Sequence, residues 1–431
     1  MALKIGAGGA HSIGLNGDGT VVAWGHNAFG QCTIPVGLIN VIAVSGGGAF
    51  SLALKSDGTV VAWGRNNNGQ CDVPVGLTGV IEISGAGYHS LALKSDNTVV
   101  AWGKNDNGQC DVPIGLTGVI AVSGGYSHSL ALKSDGTVVA WGTNGSGQCD
   151  IPVGLTGVIE ISGGWFHSLA LKSDGTVVAW GDNSDGQCDI PIGLTGVIEI
   201  SGAGYHSLAL KSDGTVVAWG RNNNGQCDVP VGLTGVIEIS GASYHSLALK
   251  SDGTVVAWGY NSDGQCDVPH FHLTYIPGLN GSITGILNQT AYLFNYSGSQ
   301  VVAVPNPGCA FSSWSDGVLT AARTDLNVTG DKTVTANFTL ITYTLTYIAG
   351  AGGTLTGNTS QTVIQGNNGS QVTAVPNTGY YFLNWSDGLT TPSRTDLNVQ
   401  SDKVLTANFI SKFQEGLGLT KIIFPVEPDW K

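Results

Sequence analysis

The chain has 431 residues, of which 66 are glycine and only 11% are charged. Roughly 15% glycine against a usual ~7%, evenly spaced among apolar runs, fits neither a helical protein nor a disordered one. Lys and Arg number 17 against 30 Asp and Glu, a net charge of −13, which leaves no basic face for a phosphate backbone and excludes nucleic-acid binding. No run of about 18 apolar residues is present, so no membrane insertion is expected. The start, Met1 to Gly6, lacks the apolar core of a secretory signal. That leaves open retention in the cytoplasm, export by another route, or a leader already removed.

Trp-Gly occurs at Trp24, Trp63, Trp102, Trp141, Trp180, Trp219 and Trp258, always 39 residues apart. A period of this length with strand-like segments means propeller blades or a solenoid. Four strands are expected per unit: Val197–Ser201, Ser207–Lys211, Thr215–Trp219 and a short Gln226–Val229. The Asp-Gly between the second and third reads as a two-residue hairpin turn. The second and third strands are apolar on both faces, as in Leu208, Ala209 and Leu210, so the sheets must pack on both sides. Face-to-face stacking around an axis satisfies this, and copies this uniform leave no capping repeat for an open solenoid. The expectation is a closed ring over residues 1–269, with the first strand at Leu3–Ile5 completing the last blade.

A second repeat follows. VVAVPNPGCAFSSWSDG at Val301 returns as VTAVPNTGYYFLNWSDG at Val372, 71 residues on. Turn signals every ~8–12 residues mark small all-β modules, at 270–339 and 340–410. Trp314 and Trp385 take equivalent core positions, and residues 411–431 form a tail with an expected strand at 421–426. The fold class is therefore all-β: a seven-bladed β-propeller of 39-residue repeats followed by two small all-β repeat modules.

Several residue sets bear on chemistry. Histidine precedes Ser-Leu, or Ser-Ile in the first copy, in six copies (His11, His89, His128, His167, His206 and His245), with Phe50 in the second. A position that Phe can fill reads as buried and hydrogen-bonded to a neighbouring strand rather than as a metal or proton site. The seven cysteines after Gly-Gln, Cys32 to Cys266, read as reduced core residues without CxxC spacing. The Asp that follows in six copies reads as a cap for backbone donors at a turn. His270 and His272 have no third ligand nearby in sequence. Without a nucleophile elbow, paired carboxylates or a phosphate loop, no catalytic residue, metal or cofactor is expected and the chain reads as a non-enzyme.

The informative positions are those where the copies disagree. In an antiparallel meander the loops after the first and third strands share one rim, here called upper. They vary, and they carry Arg65, Tyr88, Tyr126, Trp165, Phe166, Tyr205, Arg221 and Tyr244. The turn between the second and third strands, on the lower rim, is nearly constant. Rings with amides and Arg suit a protein or glycan ligand on the upper rim.

The G-x-x-H-S-L-A-L … A-W-G-x-N-x-x-G-Q pattern resembles the regulator-of-chromosome-condensation repeat family in its compact bacterial form. The A-V-P-x-x-G-Y-x-F-x-x-W-S-D-G pattern resembles divergent internalin-B-type bacterial repeats, which are typically spacers in surface proteins. These resemblances imply a binding or display protein on a bacterial surface or virus particle. The alternative they imply is an intracellular protein-interaction scaffold with a distant guanine-nucleotide-exchange role. Seven equal copies leave no room for the founder's inserted wedge, the first nine residues hold only Lys4 in place of a basic chromatin tail, and Trp165 alone stands where a photoreceptor would cluster tryptophans.

Overall fold

The computed structural model describes residues 4–292, 298–326, 328 and 330–412. Two compact units form, one centred on the 39-residue copies and the other on the C-terminal modules, and no α-helix occurs among the described residues. Seven antiparallel three-stranded sheets succeed one another. In the sixth copy the strands are Val197–Gly202, His206–Lys211 and Val216–Gly220.

The fourth strand expected at Gln226–Val229 is absent, and those residues form turn and coil. Side chains occupy the groups a ladder would use. Asn222 Oδ1 accepts from Cys227 N at 2.8 Å, and Asn222 Nδ2 donates to Asp228 Oδ1 at 2.6 Å. Such local bonding competes with strand pairing. It also corrects the role expected of the aspartate, which holds an asparagine amide rather than capping the backbone.

The hairpin turn is a three-residue one, not the two-residue form expected. In the second copy Gly58 N donates to Lys55 O and Lys55 N to Thr59 O, both at 2.9 Å. Only Gly58 takes a positive φ, 76°, as a type I turn closed by a left-handed residue requires. The third copy has Asn97 there at φ 64°, a residue type that tolerates this region.

Every second strand is buried on both faces, with Leu52, Leu54 and Ala53 at 0% exposure in the second copy. Leu and Val of one copy pack against Val, Ile and Trp of the next. Leu52, Leu54 and Val60 meet Val80, Ile83 and Trp102, for example. The last copy meets the first in the same way, Leu247, Leu249 and Val255 against Ile5 and Trp24. The seven seams are therefore equivalent and the ring is closed. Each large side chain so buried contributes roughly 1.5–3 kcal/mol.

Closure does not come from strand exchange. Lys4–Ala7 pairs with the second strand of its own copy, Ile5 opposite Gly14, against the expectation that this strand completes the last blade. The coil after the seventh third strand reaches back instead, so that Trp24 Nε1 and Ser12 Oγ both donate to Gln265 O at 3.0 Å. The seven cysteines are free and half-buried rather than core. Cys71 Sγ lies 3.4 Å from Arg65 O, and burial pushes its thiol up to about 12.

In the second module a four-stranded sheet has the order Ser360–Ile364, Thr342–Ala349, Lys403–Ser411, Tyr380–Trp385. A smaller sheet runs Gly353–Thr356, Val372–Pro376, Ser393–Arg394. The first module repeats this order. Trp314 and Trp385 are 1% and 0% exposed, in equivalent core positions. The strand expected at 421–426 lies outside the described residues.

Candidate functional site

The six histidines are fully buried. His11 Nε2 lies 3.0 Å from Ser51 Oγ of the next copy, and that hydroxyl donates to Gln31 O at 2.9 Å. Because the serine proton is spent on the carbonyl, His11 must donate through Nε2 and keep Nδ1 bare. A Cβ on Gly8 would fall 2.1 Å from this ring, so the glycine makes room for the imidazole. The same bond recurs around the ring to His245 and Ser12, 2.9 Å apart. Burial lowers these imidazoles to about 3 or about 4, so they are neutral framework, as expected from Phe50.

A second bridge escaped the sequence reading. Glu199 Oε1 accepts from Ile239 N at 3.0 Å and Glu238 Oε1 from Ile5 N at 3.0 Å, each spanning neighbouring first strands. Glu82 and Glu160 do the same at 3.4 and 3.3 Å. Burial raises Glu82 and Glu160 to about 7 and Glu199 to about 8. Only their irregular distribution among the copies distinguished these residues in the sequence.

On the upper rim the rings of five copies merge. Centroids lie 5.1 Å apart for Tyr88–Tyr126 and Tyr126–Trp165, 5.0 Å for Trp165–Tyr205 and 5.4 Å for Tyr205–Tyr244. The Tyr126 hydroxyl donates to that of Tyr88 at 3.1 Å. Burial raises Tyr126 and Tyr205 to about 12, which keeps both phenols neutral. In the first two copies the equivalent positions are Gly9, Ala10, Gly48 and Ala49, so the aromatic crescent is open on one side. The gap is a hollow of about 350 Å³ with that small-residue floor, in the size range of small-molecule pockets.

Five of the expected residues line the hollow: Arg65, Tyr88, Tyr126, Trp165 and Tyr244. Phe166, Tyr205 and Arg221 do not. Phe166 packs 5.5 Å from Tyr126, and the Arg221 guanidinium lies 5.1 Å from the centre of the Tyr205 ring, so these three stand behind the wall. The structure adds His26, Tyr260 and Ser243 to the lining. His26 and Tyr260 each follow a Trp-Gly pair, where variation was visible. The floor was missed because its signal is small size.

The lower rim is not featureless either. Val75, Ile114 and Val231 are fully exposed, and Ile81 and Ile198 are about half exposed. Their constancy between copies hid them. In the second module Arg394 donates twice to Asp387 and twice to Asp396, at 2.9–3.1 Å. It also lies 5.0 Å from the centre of the Trp385 ring. No group of three or more potential metal ligands converges among the described residues, and no helix there is long and apolar enough to cross a membrane.

Seven equivalent seams and one rim of variable loops define a seven-bladed β-propeller repeat protein. The model of the regulator of chromosome condensation (RCC1) repeat matches at 3–31, 41–70, 80–109, 119–148, 158–187, 197–226 and 236–265, and that of the divergent InlB B-repeat domain at 271–342 and 343–412. The chain belongs to the RCC1 repeat family through its propeller and carries two divergent InlB B-repeat modules after it. No curated protein sequence matches it. Among solved structures it is similar to the entire ectodomain of the Physcomitrella patens receptor kinase CR4, at 17% identity and a TM-score of 0.51 over 75% of this chain and 95% of that one. The ectodomain of the Arabidopsis thaliana receptor kinase ACR4 follows at 22% and 0.49, over 60% and 97%. Yeast RCC1 (Prp20), solved with Kap60, stands at 20% and 0.49, over 57% and 80%.

Proposed function

We propose that this chain is a non-enzymatic binding protein. Its propeller holds a protein or glycan ligand at the upper rim, and its two C-terminal modules act as spacers displaying it on a bacterial surface or virus particle. The observation that carries this reading is the one-sided crescent of Tyr88, Tyr126, Trp165 and Tyr244 around a floor of glycine and alanine. Large rings kept half-buried beside bare backbone on one sector of an otherwise repetitive ring suit a ligand that inserts an edge there. An RCC1-like propeller fold suggests an interaction platform in general, and InlB-type repeats suggest a spacer role.

The test is binding of the full chain to arrayed glycans and arrayed peptides, repeated with two variants. Aromatic anchors at the centre of an interface contribute about 2 kcal/mol or more, so Trp165→Ala should weaken each hit at least roughly tenfold. Asp174→Ala, in a lower-rim turn, should leave it unchanged. The reverse pattern, with loss on Val75→Asp, would move the site to the exposed aliphatic residues of the lower rim.

A further inference from the structure

Each copy buries a glutamine five residues beyond the residue that follows Trp-Gly, and all seven are at most 1% exposed. The amide oxygen is committed: Gln70 Oε1 accepts from Asn68 N at 3.0 Å and Gln226 Oε1 from Asn224 N at 2.9 Å. The amide nitrogen is left for the rim residue. In the fifth copy that residue is Asp182, whose carboxylate accepts from Gln187 Nε2 at 3.0 Å. In the first it is His26, whose Nδ1 lies 2.8 Å from Gln31 Nε2.

In three other copies no acceptor stands there. Arg65, Lys104 and Arg221 stand at the equivalent position, and none of these side chains can accept a hydrogen bond. Gln70, Gln109 and Gln226 accordingly have Nε2 buried without a partner, and so do Arg65 and Arg221 at Nε. Each is a buried donor that lacks an acceptor. Lys104 and Arg221 have carboxylates within reach, Asp106 at 3.4 Å and Asp185 at 3.9 Å. Arg65 instead lies against rings, 5.0 Å from the centre of Phe29 and 5.8 Å from that of Tyr88, and it lines the hollow.

We propose that Arg65 and Gln70 form a carboxylate site at the edge of the hollow, which takes an acidic side chain from a partner protein. The carboxylate enters between the guanidinium and the buried amide, as Asp182 does for Gln187 within the chain itself. The neighbouring apolar residue of the partner lies on the floor of Gly48 and Ala49, facing Tyr126 and Tyr244. This inference rests on the upper-rim reading above. A protein segment is favoured over an acidic sugar because the floor presents methyl groups and bare backbone, with few donors for a ring of hydroxyls.

The probe is the dipeptide N-acetyl-Phe-Glu-amide, titrated into the full chain with glutamine side-chain amides labelled for NMR. The Gln70 amide resonances should shift saturably while those of Gln31 and Gln187, already engaged, stay still. Affinity should fall at least roughly tenfold with Arg65→Ala and with Gln70→Glu, which keeps the oxygen that Asn68 needs, and should recover in part with Arg65→Lys. An unmoved Gln70 at about 10 mM probe, or equal binding of N-acetyl-Phe-Gln-amide, overturns the site. Glucuronate binding as well as the dipeptide overturns the assignment to protein. Array hits that depend on Trp165 but not on Arg65 would sink this inference alone. Hits that depend on neither would sink the upper-rim reading with it.

Discussion

The indole of Trp24 donates through Nε1 to the carbonyl oxygen of Gln265 at 3.0 Å, across 241 residues of chain. The bond has a counterpart at the internal seams, such as Trp141 Nε1 to Gln109 O at 3.0 Å. The seam between the chain's first and last copies is thus chemically the same as a seam inside it.

Trp24→Phe and Trp141→Phe should therefore destabilise the propeller alike, by about 1–3 kcal/mol each from the lost hydrogen bond and packing. Urea unfolding of the two variants checks this. A clearly smaller loss at Trp24 would mean that the ring opens at that seam in solution.

Stability should peak near pH 6.5. The six buried histidines titrate below their unfolded value of 6.5, at about 3 or about 4. Below pH 6.5 the unfolded chain takes up protons that the folded chain refuses, and each histidine costs about 1.4 kcal/mol per pH unit. Glu82, Glu160 and Glu199 act oppositely. Their folded values of about 7 and about 8 lie above the ordinary value of 4.5, so they withdraw stability as pH rises from 4.5 through 7–8. Between 4.5 and 6.5 six histidines outweigh three glutamates, and above 6.5 only the glutamates remain. Melting temperatures from pH 4.5 to 8.5 should trace this dome, and a monotonic rise to pH 8 would contradict it.

The ring thiols should react slowly in the native protein. Burial raises Cys149 and Cys188 to about 11 and Cys227 to about 12, so at pH 8 each is thiolate about one part in a thousand or less. Timed labelling with a chromogenic disulfide should show seven thiols accelerating together on unfolding. Rapid native labelling of several would contradict the half-buried placement.

Trp385→Ala should cost the second module about 3–5 kcal/mol as a large-to-small core change. Asp396→Asn should cost less, about 1–3 kcal/mol, because it weakens the two buried bonds from Arg394 while Arg394 keeps its two bonds to Asp387. Calorimetry of the full chain should show the module's transition falling while the propeller's stays.

What was legible in the sequence had a period. Seven Trp-Gly pairs and the doubly apolar second strands foretold closed, face-to-face sheets, and Phe50 among the histidines foretold a buried framework role. What was not legible depends on side chains acting against the backbone's default. Asn222 and Asp228 turned an expected strand into a turn. The hollow was half visible, since the rings of Tyr88, Tyr126 and Trp165 stood out as differences. Its floor, Gly9 to Ala10 and Gly48 to Ala49, escaped because absence of bulk draws no attention in a glycine-rich chain. That the Gln70 amide nitrogen is left without an acceptor was invisible because the glutamine never varies, and only the residue at position 65 does.

The equivalence of the seven seams has a genetic consequence. Near-identical tandem units of 39 residues are substrates for unequal recombination, and every product would keep the indole-to-glutamine-carbonyl bond at each seam. What changes is the wedge each blade must fill, from about 51° in a ring of seven to about 60° in six or 45° in eight. The interlocked Leu, Val and Trp side chains between copies are packed to one of these angles. Copy number is thereby policed by geometry at the seams, which leaves the upper-rim residues free to diverge one copy at a time.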